Sequence, residues 1–232
     1  MKNVLLTCVI CILFVATNFA QINCSKYYPL EEGTSFQYTI YDKKGKLDGT
    51  SDYKVATVSN SSGETVAEMH VTLQDKKGKE IIQSNYNITC TGTGVKIDFQ
   101  SLMPSQTLEQ YKEMEVEVDL SGTDIELPND LAVGQELAEA NVIMNIKMAG
   151  MNMKTIVNML NRKVEKKETL TTPAGSFECY VIYSENESQI MGMKKTFPSR
   201  LWLAAGVGMI KQESYQKDGD LMSTTELSKF NQ

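Results

Sequence analysis

Apolar and polar residues alternate along most of the chain after residue 20. One such segment is 66–73, whose apolar positions are Ala67, Met69, Val71 and Leu73. A second is 114–120, where the residues between the apolar ones are acidic: Glu115, Glu117 and Asp119. A period of two is typical of β-strands in a sheet with one buried face and one solvated face. The pattern therefore predicts a mainly antiparallel β protein.

Short polar segments with a glycine separate these runs. Asp42–Lys46 and Asp75–Lys79 have the same sequence, DKKGK, and Gln216–Asp220 is similar. Each places glycine where a hairpin loop needs a positive φ, so we predict three antiparallel hairpins. Candidate strands number roughly ten to twelve. So many antiparallel strands curl in order to protect their edges.

We therefore expect residues 21–232 to form a single all-β domain. Its architecture would be a strongly curved antiparallel sheet or a partly open barrel, with at most one or two short helices. The candidate helix covers Ser105–Glu113, after Pro104, with Ser105 as its N-cap.

A methionine-rich segment covers residues 141–160, with Gly150 as its candidate turn. Alternation puts Met144 and Met148 on one face of a strand, and Met151 and Met153 on one face of the returning strand. Three interpretations remain open. The side chains could be ordinary core residues, they could line a surface that binds an apolar ligand, or their thioethers could bind Cu(I). We take Met144, Met148, Met151 and Met153 as candidate ligand-lining residues.

Residues 1–20 have the pattern of a secretory signal peptide: a positive start at Lys2, an apolar core at Val4–Val15 and a small residue, Ala20, before the predicted cleavage site at Gln21. The apolar run is too short to span a bilayer comfortably, and no other run approaches that length. We expect an exported protein, periplasmic or on the cell surface or secreted, with no transmembrane span in its mature chain.

Cleavage there would leave 212 residues and, with the loss of Lys2, would change the formal net charge from −6 to −7. An acidic chain argues against nucleic acid as a partner. The mature chain would keep three cysteines, Cys24, Cys90 and Cys179. Cys90 and Cys179 lie in strand-like runs and are the candidate disulfide pair, with two buried thiols as the alternative and Cys24 as the odd cysteine.

Residues suited to catalysis or metal binding are scarce. The single histidine, His70, falls on the polar face of its strand with only Glu68 nearby, and no metalloprotease, serine hydrolase or phosphate-loop motif occurs. The acidic row at Glu113, Glu115, Glu117 and Asp119 suits a solvated strand face, with calcium binding as the alternative. We expect no catalytic residues, no metal site and no cofactor.

Three segments carry a family resemblance: Ile125–Leu137, Thr171–Tyr180 (TTPAGSFECY) and Leu201–Glu213 (LWLAAGVGMIKQE). Together they resemble the TapB-like family of exported Gram-negative proteins, a domain of unknown function. The resemblance implies a periplasmic or cell-surface protein of curved antiparallel β architecture, and it brings no catalytic residues.

The first functional hypothesis is a non-enzymatic exported protein that binds an apolar or lipid-like molecule in a concave β face. The alternative is a cell-envelope assembly component that recognises another protein through a sheet edge or face. A hydrolase is the third hypothesis. The sequence identifies neither the ligand nor the partner, and it leaves the oligomeric state open.

Overall fold

The computed structural model describes residues 24–61, 63–98, 117–148, 151–190 and 192–232. The predicted cleavage site at Ala20 and Gln21 and the candidate helix 105–113 lie outside these ranges. Within them the chain forms thirteen strands and no helix. The strands are β1 (Ser35–Asp42), β2 (Leu47–Ser61), β3 (Glu64–Asp75), β4 (Glu80–Cys90), β5 (Gly94–Ile97), β6 (Glu117–Thr123), β7 (Ile125–Pro128), β8 (Ala140–Met148), β9 (Met151–Thr172), β10 (Gly175–Ile190), β11 (Met193–Ala204), β12 (Gly208–Tyr215) and β13 (Leu221–Asn231).

All thirteen strands belong to one antiparallel sheet, in the order β6-β8-β9-β10-β11-β12-β13-β1-β2-β3-β4-β5-β7. The two edge strands, β6 and β7, are consecutive in the chain and separated only by Asp124. Because one residue joins opposite edges, the sheet curls until they approach each other. The architecture is a nearly closed barrel, which confirms the predicted fold class with one strand more than the predicted range.

The repeated DKKGK segments form the predicted hairpin turns. Asp42 Oδ1 accepts hydrogen bonds from the backbone N–H of Lys44 (2.8 Å) and Lys46 (2.9 Å), and Gly45 has a φ of 70°. Asp75 makes the equivalent bonds in its own turn. These N–H donors lower the pKa of both carboxyl groups. The third turn, around Gly219, joins β12 to β13 as predicted.

A seam closes the barrel between β7 and β9. Residues 134–139 run beside β9, where Leu137 N–H donates to the carbonyl oxygen of Arg162 at 2.9 Å. The side chain of Arg162 is 4% exposed. Its Nη1 donates to the carbonyl oxygen of Ala138 and, at 3.0 Å, to that of Glu126 in β7. Arg162 therefore connects the two sides of the seam.

The core lies on the inner face of the curved sheet. Several of its aliphatic side chains have no exposed surface, and six of these lie around the inner face: Val55, Ile88, Val164, Leu203, Ile210 and Leu227. They come from six different strands around the barrel. Burying each such side chain contributes about 1.5–3 kcal/mol relative to leaving it in water, so this ring supplies a large share of the fold's stability.

Residues 24–34 form an N-terminal segment that crosses one end of the barrel. A disulfide joins Cys24 to Cys90 at the end of β4, with the Cα atoms 5.8 Å apart. Asn129 Oδ1 accepts from Lys26 N–H at 2.8 Å, and Gly206 N–H, in the β11–β12 turn, donates to the carbonyl oxygen of Lys26 at 2.9 Å. Five strands separate β4 from β11 in the sheet, so the segment takes a path across the barrel and not along the sheet.

The prediction of a Cys90–Cys179 disulfide was wrong. Cys90 is bonded to Cys24, and Cys179 is a free thiol with no exposed surface on β10. The physical reason is the curl: β4 and β10 lie far apart in the sheet order, whereas the N-terminal segment passes directly over the end of β4. Burial, with a smaller contribution from Glu168, raises the pKa of the Cys179 thiol to about 11, which keeps it protonated and unreactive.

Candidate functional site

The methionine-rich segment forms the hairpin of β8 and β9. Its register pairs Met144 with Thr155, Ile146 with Met153, and Met148 with Met151. Directly opposed residues of an antiparallel pair share a face, so Met144 and Met153 occupy one face of the hairpin, whereas the side chains of Met148 and Met151 lie outside the described part of the protein. Gly150, the predicted turn residue, lies outside the described residues.

This face is the inner face of the barrel. Met159 pairs with Asn186 of β10, and Val164, fully buried in the core, lies on the same side of β9. We call five half-buried or exposed apolar residues of this face the methionine strip: Val142, Met144, Met153, Val157 and Met159. Ala140 and Ile146 are buried on the same face of β8 and lie beside the strip, while Met153 is 38% exposed. The strip is therefore a partly exposed apolar stretch of the inner face along the hairpin.

Arg162 is the next inward-facing residue of β9 after Met159. A bulge lies between them, where Asn161 has a φ of 51° and the register with β10 shifts between Tyr183 and Glu185. The bulge adds one residue and keeps Met159 and Arg162 on the same face. Among the described residues Arg162 makes no salt bridge, and its buried Nε has no hydrogen-bond partner.

Four tyrosines of the inner face and the N-terminal segment lie near one another, and one of them, Tyr28, lies near Arg162. Tyr38 and Tyr53 pack edge to face with ring centroids 5.3 Å apart, and Tyr53 packs likewise on Tyr86 at 6.5 Å. Tyr28 enters from the N-terminal segment, and the charge of Arg162 acts on its hydroxyl. Tyr38 Oη donates to the carbonyl oxygen of Met209 at 3.1 Å.

Burial raises the pKa of Tyr28 to about 12 and that of Tyr38 and Tyr86 well above the ordinary value. Tyr28, Tyr53 and Tyr86 nevertheless keep part of their surface accessible. The sequence analysis missed this group because its members are far apart in the chain.

A second group of polar and aromatic residues lies on the outer face and is internally satisfied. Arg200 binds Glu165 through two hydrogen bonds of 2.7 and 3.1 Å, and Trp202 Nε1 donates to Glu168 at 2.7 Å. The pairing with Glu165 raises the pKa of Arg200. Since these charges and donors all have partners within the group, we assign the group a role in stabilising the sheet.

The other residues considered for chemistry remain isolated. His70 is exposed and its Nε2 lies 3.8 Å from Glu68. Asp119 is exposed, and Glu113 and Glu115 lie outside the described residues. Among the residues with described positions, no group of three or more His, Cys, Asp or Glu could hold a metal ion. That part of the chain also contains no helix long and apolar enough to cross a membrane.

The fold, with its long hairpin, is shared with two proteins known from crystal structures. A putative exported protein with a YmcC-like fold from Bacteroides fragilis matches with a TM-score of 0.70 and 20% identity, over 90% of this chain and 100% of that one. A putative lipoprotein from Parabacteroides distasonis matches with a TM-score of 0.71 and 24% identity, with the same coverage. At these identities the likeness establishes the fold alone.

Residues 31–227 match the model of the DUF3108-like family, and the chain belongs to that family. No curated relative matches the chain.

Proposed function

We propose that this is a non-enzymatic exported protein that binds an apolar, lipid-like molecule on the inner face of the β8–β9 hairpin. One observation carries the proposal: the methionine strip is an apolar stretch of the inner face whose side chains remain partly exposed, with Met153 at 38%. The names of the structural neighbours, an exported protein and a lipoprotein, support a periplasmic or cell-surface location. We also propose that the chain is related to the TapB-like proteins.

The chemistry of the methionine strip suits such a ligand. Methionine side chains are flexible and polarisable, so they adapt to apolar molecules of different shape. Covering apolar surface contributes roughly 25 cal/mol per Å², and the strip offers that surface beside a concave space. In this proposal the methionine thioethers pack against the apolar ligand and do not bind Cu(I).

The test compares two neighbouring residues on opposite faces of β8. Met144 faces inward, opposite Leu120, whereas Ile143 faces outward, opposite Ser121, and both are half-buried. We expect the mature protein to bind a fluorescent long-chain alkyl probe and Met144→Gln to weaken this binding roughly 5- to 30-fold, the equivalent of about 1–2 kcal/mol. Ile143→Gln is the matched control and should leave the affinity unchanged. Equal effects of the two variants, or no binding by the wild type, would refute the proposal.

One observation favours the alternative of an envelope assembly component. Strand β6 is an edge of the sheet, and edge strands recruit extended segments of other chains. Affinity capture from envelope extracts, combined with native mass spectrometry of the purified protein, separates the two functions. A retained envelope protein together with an empty methionine strip would favour assembly.

A further inference from the structure

Arg162 carries a buried charge that makes no salt bridge to any described residue, and the charge of Glu126 acts on it only from a distance. A guanidinium stays protonated in proteins, although burial lowers the pKa of Arg162. Buried charges are normally paired, because an unpaired one loses its hydration without compensation. The two carbonyl oxygens at the seam occupy Nη1 alone, and Nε remains without a partner.

Carboxylates near this side chain make their direct contacts elsewhere. Glu126, whose carbonyl oxygen accepts from Arg162, has an exposed side chain that pairs with Lys96 at 3.4 Å. Glu165 pairs with Arg200 on the outer face. Glu139 accepts the backbone N–H of Asn161 at 3.3 Å. Arg162 therefore has no direct anionic partner among these residues: the charge of Glu126 acts on it from a distance, and its own charge acts on the Tyr28 hydroxyl.

The position of Arg162 relative to the methionine strip has the dimensions of a lipid. Both lie on the inner face of β9, and a strand rises about 3.3 Å per residue. Met159 and Val157 are then roughly 10 and 16 Å from Arg162 along the strand, and Met153 is roughly 30 Å away. A bilayer core of about 30 Å holds two opposed layers of acyl chains, so one chain spans about 15 Å. An acyl chain lying on Met159 and Val157 would bring its polar end to the guanidinium.

We propose that the ligand is an amphiphile with an acidic head group, whose anion binds Arg162 beside the Tyr28 hydroxyl and whose tail lies on the methionine strip. This inference rests on the proposed function and names the class of its ligand. A carboxylate or a phosphate monoester fits the guanidinium equally, because both accept charge-assisted hydrogen bonds from it. The acid supplies a direct ion-pair partner, which Arg162 lacks among the described residues.

The decisive experiment uses the wild-type mature protein and a series of ligands with one tail length. Hexadecanoic acid, hexadecyl phosphate and hexadecanol compete with the fluorescent alkyl probe at pH 8, and acetate and inorganic phosphate serve as tail-free anions. We expect at least one of the two acidic ligands to bind at least tenfold more tightly than the alcohol, and the stronger one identifies the head group. The tail-free anions should not compete.

Each other result has a defined meaning. Equal binding of acid and alcohol overturns the inference and leaves the proposed function standing. No binding by any long-chain ligand overturns both. Competition by acetate or phosphate alone would indicate a site for free anions and would refute the proposal that the ligand is an amphiphile.

Variants locate the head-group site. Arg162→Gln should bring the affinity for the acid down to that for the alcohol, while Arg162→Lys should retain part of the difference. Lys163→Gln is the matched control, since Lys163 is an adjacent, exposed cation on the outer face. If Arg162→Gln fails to fold because the seam opens, the wild-type ligand series still tests the proposal. Tyr28→Phe then serves as the second variant, and it should weaken binding of the acid but not binding of the alcohol.

Discussion

The disulfide between Cys24 and Cys90 gives the sharpest prediction about stability. It closes a loop with a sequence separation of 66 residues, which includes β1, β2, β3 and nearly all of β4. The perturbation is Cys24→Ala with Cys90→Ala, made together so that no unpaired thiol is left. Its effect should appear mainly in the unfolded state, because the bridge restricts the unfolded chain most.

Loop length determines the expected magnitude. In the chain-entropy relation, closing a loop of 66 residues costs the unfolded state about 4 kcal/mol at 25 °C. We therefore expect the double variant to lose about 4 kcal/mol of unfolding free energy. For a domain of about 200 residues, each kcal/mol shifts the melting temperature by about 2–4 °C, so the midpoint should fall by about 8–16 °C.

Urea unfolding with and without a reductant measures this loss. The wild type should lose about 4 kcal/mol on reduction, and the double variant should not respond. Cys179→Ala is the control: because Cys179 is a buried free thiol, this variant should respond to the reductant as strongly as the wild type does. A Cys179→Ala protein insensitive to reduction would show that Cys179 is in the bridge, and it would refute the pairing.

Two further predictions concern the N-terminal segment and the tyrosines. Gly208→Ala should lower the unfolding free energy measured in urea by about 2–4 kcal/mol, because φ is +94° and the new Cβ would lie 2.9 Å from the Tyr28 ring. The control Gly219→Ala, with φ +93° and no close atom, should lower it by only about 1 kcal/mol. Equal losses in the two variants would contradict the contact between Gly208 and Tyr28. Since the folded pKa of Tyr28 is about 12 and its ordinary value is 10, the stability that it contributes is complete below pH 10 and lost as pH rises from 10 to 12. Unfolding free energies at pH 9–12 should therefore fall less steeply for Tyr28→Phe, and parallel curves would disprove this.

The features that the sequence predicted correctly are local. The DKKGK turns depend on Asp42 and Asp75 accepting hydrogen bonds from backbone groups two and four residues ahead, so five residues are enough to recognise them. The β8–β9 hairpin depends on alternation around a candidate turn, and Met144 faces the expected side of the pair. A period of two fixes a strand's faces without any knowledge of its neighbours.

The features that it missed depend on how distant segments meet. Cys24 pairs with Cys90 because the N-terminal segment crosses the barrel, and no local pattern encodes that path. Arg162 did leave a signal, as a cation at an inward position between Met159 and Val164, but only the closed seam explains its burial.

The disulfide and the head-group site are physically connected. The bridge fixes the start of the segment that carries Tyr28, and the Tyr28 ring packs on Gly208. The methionine strip, in contrast, is held by the strand pairing of β8 with β9, far from the bridge. Reduction should therefore weaken discrimination between the acid and the alcohol more than it weakens binding of the tail. An oxidising compartment, where such bridges persist, would then be a requirement of ligand selectivity as well as of stability.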